Sequence, residues 1–165
     1  MKPVLSLAAL LAAASMSLSA AHAQEAVVGV ANAEAAFTAK DPVLNKNKQA
    51  AYHIMKELLE AGHWEMADKW LTQRYIQHNP NAASGLAGVV YYFTQVAKVQ
   101  PKPIPEKLGT KIAAVMAEGD LVMVATPRVM KDPKDPTKTY TTTWFDMGRF
   151  KDGKADEHGD PAEKR

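Results

Sequence analysis

Two carboxylates and an imidazole near the end of the chain have the residue types and the spacing for acid–base chemistry. His158 and Asp160 are two residues apart, and Trp144 and Asp146 show the same spacing in the segment before them. Residues two apart on a β-strand share a face, so each pair points one way if these segments are strands. Under covering helices, burial would raise a carboxyl pKa and allow proton transfer near neutral pH. The alternative is that His158 and Asp160 lie solvated at the end of the last strand, without a catalytic role.

A second polar cluster, Gln77-His78-Asn79-Pro80, follows Tyr75 closely and stands beside apolar segments. Its amide and imidazole groups can hold a water molecule or a carbonyl oxygen at the mouth of a pocket. The alternative is a capped turn, in which His78 and Asn79 satisfy local backbone groups. Proline disfavours helix at the residue before it, so we expect this segment to be extended.

The composition excludes several classes of function. The chain has 20 Lys and Arg against 18 Asp and Glu, with no basic stripe of the kind that binds nucleic acid. It has no cysteine, and therefore no disulfide framework and no thiolate nucleophile. His78, His158 and Asp160 are of types that ligate iron or zinc. Because no His-x-x-x-His motif or glycine-rich phosphate loop accompanies them, we predict neither a metal nor a cofactor.

The first residues are typical of a cleavable signal peptide. Lys2 precedes an apolar stretch from Val4 to Leu18, and Ala21-His22-Ala23 has the small-x-small pattern of a cleavage site. A membrane anchor needs about 20 continuous apolar residues, and serines interrupt this shorter run. We therefore expect residues 1–23 to be removed, residues 24–40 to form a flexible leader, and residues 41–165 to form one exported domain, periplasmic or secreted and not held in a membrane.

The pattern along that domain predicts helices followed by strands. Asp41 and Pro42 suit a helix start, as N-cap and first residue, and apolar residues recur at helical spacing up to Gly62, a natural stop. We expect a second short helix over 63–71 and a third from Ser84-Gly85. Four β-rich runs follow, at 111–117, 121–130, 139–150 and 154–160. This order predicts an α+β fold in which N-terminal helices cover one face of a curved, mainly antiparallel sheet.

Several motifs resemble the SnoaL-like branch of the nuclear transport factor 2-like superfamily. They are EAGHWEMADKWL at 60–71, YIQHNP at 75–80, AEGDLV at 117–122 and FDMGRFKDGKADEHGD at 145–160. The resemblance runs in order from about Pro42 to Asp160. It implies a cone of helices and curved sheet around an apolar pocket, often in a homodimer, with relatives that include polyketide cyclases, ketosteroid isomerase and limonene epoxide hydrolase.

Carried onto this sequence, the resemblance implies pocket chemistry by acid and base groups without a metal. The expected catalytic residues are Asp160, His158 and His78, and the expected pocket residues are Gln77, Asn79, Asp146, Tyr75 and Trp144. The expected function is general acid–base chemistry, such as aldol-type cyclisation, isomerisation or hydrolysis, on a small carbonyl or cyclic compound. The alternative is a non-catalytic module of the same fold that holds a small apolar ligand or a protein partner.

Gly148 and Gly159 depart from the pattern of the family, which usually has a large aromatic residue at both positions. Loss of a buried aromatic side chain leaves a void that costs on the order of 3–5 kcal/mol. Either these glycines widen the pocket for a bulkier ligand, or they weaken the domain. If they mark voids, tryptophan at either position should raise the melting temperature.

Overall fold

The structure is a computed structural model that describes residues 25–164. The predicted signal peptide therefore lies outside the described residues. Among residues 25–164, no helix combines the length and the apolar character needed to cross a bilayer.

The helices precede most of the sheet, as the residue pattern predicts. They are α1 (Ala33–Ala36), α2 (Pro42–His53) with a π-helical continuation (Ile54–Glu60), a 3₁₀ turn (Trp64–Met66), α3 (Ala67–Trp70), and α4 (Leu86–Tyr91) with a second π-helical continuation (Tyr92–Val96). Asp41 caps α2, because its side chain accepts hydrogen bonds from the backbone N–H groups of Val43 and Leu44, both at 2.9 Å. Gly62, with a φ of 78°, follows the helix in the left-handed conformation that glycine tolerates. The predicted start and stop of this helix are both confirmed.

Five strands form one open, mixed sheet in the order β1-β5-β4-β3-β2. They are β1 (Leu71–Gln77), β2 (Ala114–Glu118), β3 (Leu121–Lys131), β4 (Thr139–Lys151) and β5 (Lys154–Gly159). β1 pairs with β5 in parallel and the other neighbours are antiparallel. The four predicted strands are confirmed, and the extended segment around Tyr75 proves to be a fifth strand that begins at Leu71. Helices α2 and α4 pack on one face of this sheet, which gives the predicted α+β fold.

The core includes a residue that the sequence pattern places in a flexible leader. Phe37 is fully buried, with its ring centroid 5.5 Å from that of Tyr52 in an edge-on contact. Before it, the side chain of Asn32 caps α1, and the backbone N–H of Val30 donates to the carbonyl of Ile112 at 2.7 Å. The segment from Val30 to Phe37 is thus packed against the domain, contrary to the expected leader. Its α1 spans only four residues, too few to show a hydrophobic period.

Gly148 and Gly159, where the resemblance implies aromatic residues, have different surroundings. A Cβ at Gly148 would lie 2.8 Å from Cε2 of Phe150, whose ring belongs to the buried core. A Cβ at Gly159 would find no heavy atom nearer than Cβ of His78, at 3.9 Å. The space beside Gly148 is therefore already filled, and the void interpretation fails there.

We expect the substitutions Gly148→Ala and Gly159→Ala to change stability in opposite directions. The first forces the buried Phe150 ring to shift and should cost about 1–3 kcal/mol of unfolding free energy. The second adds a side chain in open space and reduces the freedom of the unfolded chain, so it should contribute about 0.4–1 kcal/mol. Urea unfolding followed by circular dichroism measures both, and a loss of stability in the Gly159 variant equal to that in the Gly148 variant would contradict this account.

Candidate acid–base site

A cavity of about 140 Å³ lies between the helices and the sheet. Six of the eight predicted site residues line it: Tyr75, Gln77, Asn79, Asp146, His158 and Asp160. Apolar side chains complete the lining, among them Ile54, Leu59, Trp64, Leu71 and Phe93. An engineered protein cavity of similar size, about 150 Å³, holds benzene, so this one suits a molecule with a single six-membered ring.

Strands β1, β5 and β4, which are neighbours at one side of the sheet, bring these polar groups together. Parallel pairing of β1 with β5 places Gln77 opposite His158, and antiparallel pairing of β4 with β5 places Gly148 opposite His158 on the other side. Asp146, two residues from Gly148, therefore faces the same way as His158. The face shared by each predicted pair is thus the covered face, and the solvated alternative does not hold.

Hydrogen bonds to Gln77 determine where His158 carries its proton. Oε1 of Gln77 accepts the backbone N–H of Asn79 at 3.0 Å, which identifies that atom as the amide oxygen. Nδ1 of His158 lies 2.8 Å from the same oxygen. Because an amide oxygen only accepts, Nδ1 must be the donor and must carry a proton.

The other nitrogen of His158 meets a carboxylate. Nε2 lies 3.2 Å from Oδ1 of Asp146, and Nε1 of Trp144 donates to that oxygen at 3.2 Å. With Nδ1 protonated, Nε2 of a neutral imidazole has only a lone pair, so its contact with Asp146 needs one more proton. A hydrogen bond between His158 and Asp146 therefore requires one shared proton beside the cavity, either on the imidazole or on the carboxyl group.

Asp160 supplies a second carboxylate beside this pair. Its oxygens accept from Nδ2 of Asn79 at 2.9 and 3.2 Å and from the backbone N–H of Ala162 at 2.9 Å. Each of these partners is a donor, so Asp160 acts as an acceptor throughout. One ligand atom from each of Asp146, His158 and Asp160 lies within 4.8 Å of the other two. A pair that can share a proton and a second carboxylate thus line the same small volume.

Tyr75 adds a hydroxyl donor. Burial, followed by the negative charges of Asp146 and Asp160, raises the pKa of Tyr75 well above its ordinary value, so the hydroxyl stays protonated at any physiological pH. Within residues 25–164, no group forms a hydrogen bond with that hydroxyl. It can therefore donate to an oxygen atom of a bound molecule.

Two predicted site residues lie outside the cavity. His78 has a side chain that is 58% exposed, with Nε2 3.6 Å from Oε2 of Glu157. It is displaced because it follows Gln77 directly, and adjacent residues in an extended chain point to opposite faces. Trp144 does not line the cavity either, but its indole N–H positions Asp146. The structure therefore brings together neither the catalytic set with His78 nor the metal set of His78, His158 and Asp160.

Trp64, which the sequence pattern does not single out, also lines the cavity. Its ring stacks on Phe93 with centroids 3.7 Å apart. Its buried indole nitrogen has no hydrogen-bond partner among the described residues. An apolar helix pattern contains no signal that separates such a tryptophan from an ordinary core residue.

Asp146, His158 and Asp160 also have the types and spacing of metal ligands. Nδ1 of His158 bonds to Gln77, however, so the nitrogen left for a metal ion is Nε2, and its hydrogen bond with Asp146 needs a proton at that place. A metal ion would have to displace that shared proton. The absence of a metal cofactor remains a prediction.

Comparison with known proteins places the chain in a family. The sequence model of the family described as SnoaL-like domain matches residues 53–158. No curated protein matches the chain in sequence.

Solved structures share the fold at low sequence identity. A candidate polyketide cyclase from Acidithiobacillus ferrooxidans is 18% identical, with a TM-score of 0.51 over 70% of this chain and 86% of its own. A candidate SnoaL-like polyketide cyclase from Jannaschia is 15% identical, with a TM-score of 0.51 over 73% and 88%. A nuclear transport factor 2-like protein of unknown function from Burkholderia pseudomallei is 13% identical, with a TM-score of 0.50 over 72% and 91%. At these identities the likeness establishes the fold.

The proton position on His158 can be measured directly. We expect nitrogen NMR of the imidazole to show Nδ1 as a protonated nitrogen in the free protein, because Oε1 of Gln77 accepts from it. Gln77→Leu removes that acceptor and should let the ring adopt a mixture of tautomers. His78→Gln, which alters an exposed ring outside the cavity, serves as the control and should leave the His158 signals unchanged. A wild-type ring protonated only at Nε2 would refute the shared-proton arrangement.

Proposed function

The chain belongs to the SnoaL-like domain family, and on that premise we propose that it is an exported enzyme that moves a proton within a small carbonyl or cyclic compound. The observation that carries the proposal is the contact between His158 and Asp146, which lies within 4.8 Å of the carboxylate of Asp160 in the lining of a cavity of about 140 Å³. An acid and a base at this separation can act on two atoms of one bound molecule. The chemistry uses no metal.

The reaction begins when Asp160 accepts a proton from the carbon next to a substrate carbonyl group. The C–H bond breaks, and its electron pair forms the new C=C bond while the carbonyl π electrons move onto oxygen. The Tyr75 hydroxyl donates a hydrogen bond to that oxygen as its negative charge grows, which stabilises the enolate. The His158–Asp146 pair then delivers its proton to oxygen, or to a second carbon, and Asp160 returns its own proton to the pair or to solvent.

The hydrogen bonds support these roles. Oδ1 of Asp146 is already engaged by Trp144 and His158, so Asp146 is suited to orienting the imidazole. Among residues 25–164, Oδ2 of Asp160 accepts from Nδ2 of Asn79 alone, which leaves it a lone pair for a substrate proton. Isomerisation needs only the return of the proton, whereas an aldol-type cyclisation follows if the enolate carbon attacks a second carbonyl within the same molecule.

The alternative function is a binding module without chemistry. The stacked rings of Trp64 and Phe93, together with Ile54 and Leu59, give the cavity an apolar wall that can hold a small ligand. In that case Asp160 and His158 would orient the ligand and transfer nothing. Because both functions predict binding, only turnover separates them.

Exchange of hydrogen for deuterium at the carbon next to the carbonyl of cyclohexanone tests the proposal. We expect the wild-type protein in D₂O to accelerate this exchange, as followed by proton NMR. Asp160→Asn removes the base and should slow exchange by about 10²–10⁴-fold, and Tyr75→Phe removes the donor and should slow it by about 10²–10³-fold. His78→Gln is the matched control and should exchange at the wild-type rate.

The outcomes separate the candidate functions. Binding of cyclohexanone to the wild-type protein, seen as ligand line broadening, with no accelerated exchange would support the binding module instead. Treatment with EDTA should leave the exchange rate unchanged. If EDTA lowered the exchange rate and added zinc or manganese restored it, the cluster of Asp146, His158 and Asp160 would be a metal site.

We also propose that the mature protein begins at Gln24 and pairs with a second copy. The charge at Lys2, the apolar stretch and the Ala21-His22-Ala23 pattern support export. Pairing is supported by exposed apolar side chains on the face of the sheet opposite the cavity, namely Met116, Val129, Phe145 and Met147.

Native mass spectrometry of protein recovered from the periplasm of a Gram-negative host tests both points. We expect a species with twice the mass of a chain that starts at Gln24. Phe145→Asp places a charge in the apolar face and should give the monomer mass, while Lys131→Gln, on the same sheet but already polar, should not. A subunit mass that includes residues 1–23 would contradict cleavage, and a wild-type monomer would contradict pairing.

A further inference from the structure

A second cavity, of about 460 Å³, adjoins the acid–base site. Asn79 and Tyr92 line both cavities, so a bound molecule can extend from one into the other. Arg128, Met130 and Trp144 form the sheet side of this outer cavity, and residues 161–164 form its other side.

Arg128 lies on the same face of the sheet as the catalytic carboxylates. In the β3–β4 register, Val124 pairs with Asp146, Thr126 with Trp144 and Arg128 with Thr142. Arg128 is therefore four residues along β3 from the partner of Asp146, which is about 13 Å at the usual rise per residue. Its Cζ atom lies 4.1 Å from the ring centroid of Trp144, the residue between the two positions.

The charge of Arg128 is uncompensated among the described residues. The other arginines within residues 25–164 are paired, Arg74 with Asp156 and Glu157, and Arg149 with Asp120 and Glu157. No described carboxylate lies within ion-pair distance of Arg128, although Glu163 lines the same cavity. This guanidinium faces the outer cavity beside the acid–base site and has no counter-ion of its own.

The stacking on Trp144 prepares Arg128 for a planar anion. A guanidinium whose face rests on an aromatic ring keeps its N–H edge available, and that edge matches a carboxylate with two parallel hydrogen bonds. Trp144 also donates its indole N–H to Asp146 at 3.2 Å. The side chain of Trp144 thus contacts both Arg128 in the outer cavity and the carboxylate of Asp146 in the inner cavity.

We propose that the outer cavity is a carboxylate subsite and that the substrate is a small oxo acid. Its carbonyl-bearing part occupies the inner cavity, and its carboxylate, several bonds away, binds Arg128. The identity of the substrate as an oxo acid rests on the proposed function, whereas the binding of a carboxylate at Arg128 does not.

Two ligands of equal shape test the subsite. The first is 4-phenylbutanoate, whose ring suits the inner cavity, and the second is its uncharged amide, with both affinities measured by calorimetry at neutral pH. We expect the wild-type protein to bind the acid about 10–100-fold more tightly, as a charge-assisted hydrogen bond allows. Arg128→Gln should abolish this preference and leave the affinity for the amide unchanged. Arg128→Lys keeps the charge but loses the two parallel N–H donors of the guanidinium, so it should retain part of the preference.

Control variants locate the effect. Lys131→Gln removes a charge from the same strand on the exposed side and should keep the full preference for the acid. Equal affinity of the wild-type protein for acid and amide would overturn the proposal. So would a preference for the acid that persists in Arg128→Gln, or one that is lost in Lys164→Gln but not in Arg128→Gln. Asp160→Asn should slow deuterium exchange as above yet keep the preference for the acid. A preference in a wild-type protein that shows no exchange would reject the proposed enzyme and leave the carboxylate subsite standing.

Discussion

The site depends on the parallel pairing of β1 with β5. This pairing places Gln77 opposite His158, and the resulting contact between Oε1 and Nδ1 determines which nitrogen of the imidazole is left for Asp146. A shift of the register by one residue would turn Gln77 to the outer face and bring His78 inward, because side chains alternate along a strand. The imidazole would then lose the acceptor that fixes its tautomer, and the proton shared with Asp146 would no longer be required.

Around that contact, the polar side chains of the cavity satisfy one another. Asn79 is central, because its backbone N–H donates to Oε1 of Gln77 and its side-chain amide donates to the carboxylate of Asp160. A buried polar network of this kind is costly when a member lacks a partner. Two donors at the cavity do lack one among the described residues, the Tyr75 hydroxyl and the Trp64 indole N–H. Both residues line the cavity, and in the proposed reaction the Tyr75 hydroxyl is the donor to the substrate oxygen.

Local patterns were sufficient to predict most of the fold and much of the site. The spacing of two between His158 and Asp160 depends only on strand geometry, so their common face could be predicted from the sequence, as could the helix cap at Asp41. The position of His78 could not, because its face depends on where β1 begins and on its pairing with a strand eighty residues away. Phe37 was missed for a related reason. Its burial comes from tertiary contacts such as that with Tyr52. Helix α1 before it has only four residues, which is too short to show a hydrophobic pattern in the sequence.

The departures from the family pattern at Gly148 and Gly159 have different physical meanings. At Gly148 the ring of Phe150, two residues along the same face, occupies the space that a side chain would take. Gly148 is also the direct cross-strand partner of His158, so the Cβ atom of a larger residue there would lie about 5 Å from the Cβ atom of His158. Without it, the imidazole can reach diagonally along β4 to Asp146, two residues away. The glycine therefore accompanies an acid–base pair that an aromatic residue at this position would obstruct, and the core around Phe150 is repacked without a void. At Gly159 a side chain would enter open space and would point away from the face that His158 and Asp160 share, so this glycine is not required by the acid–base site.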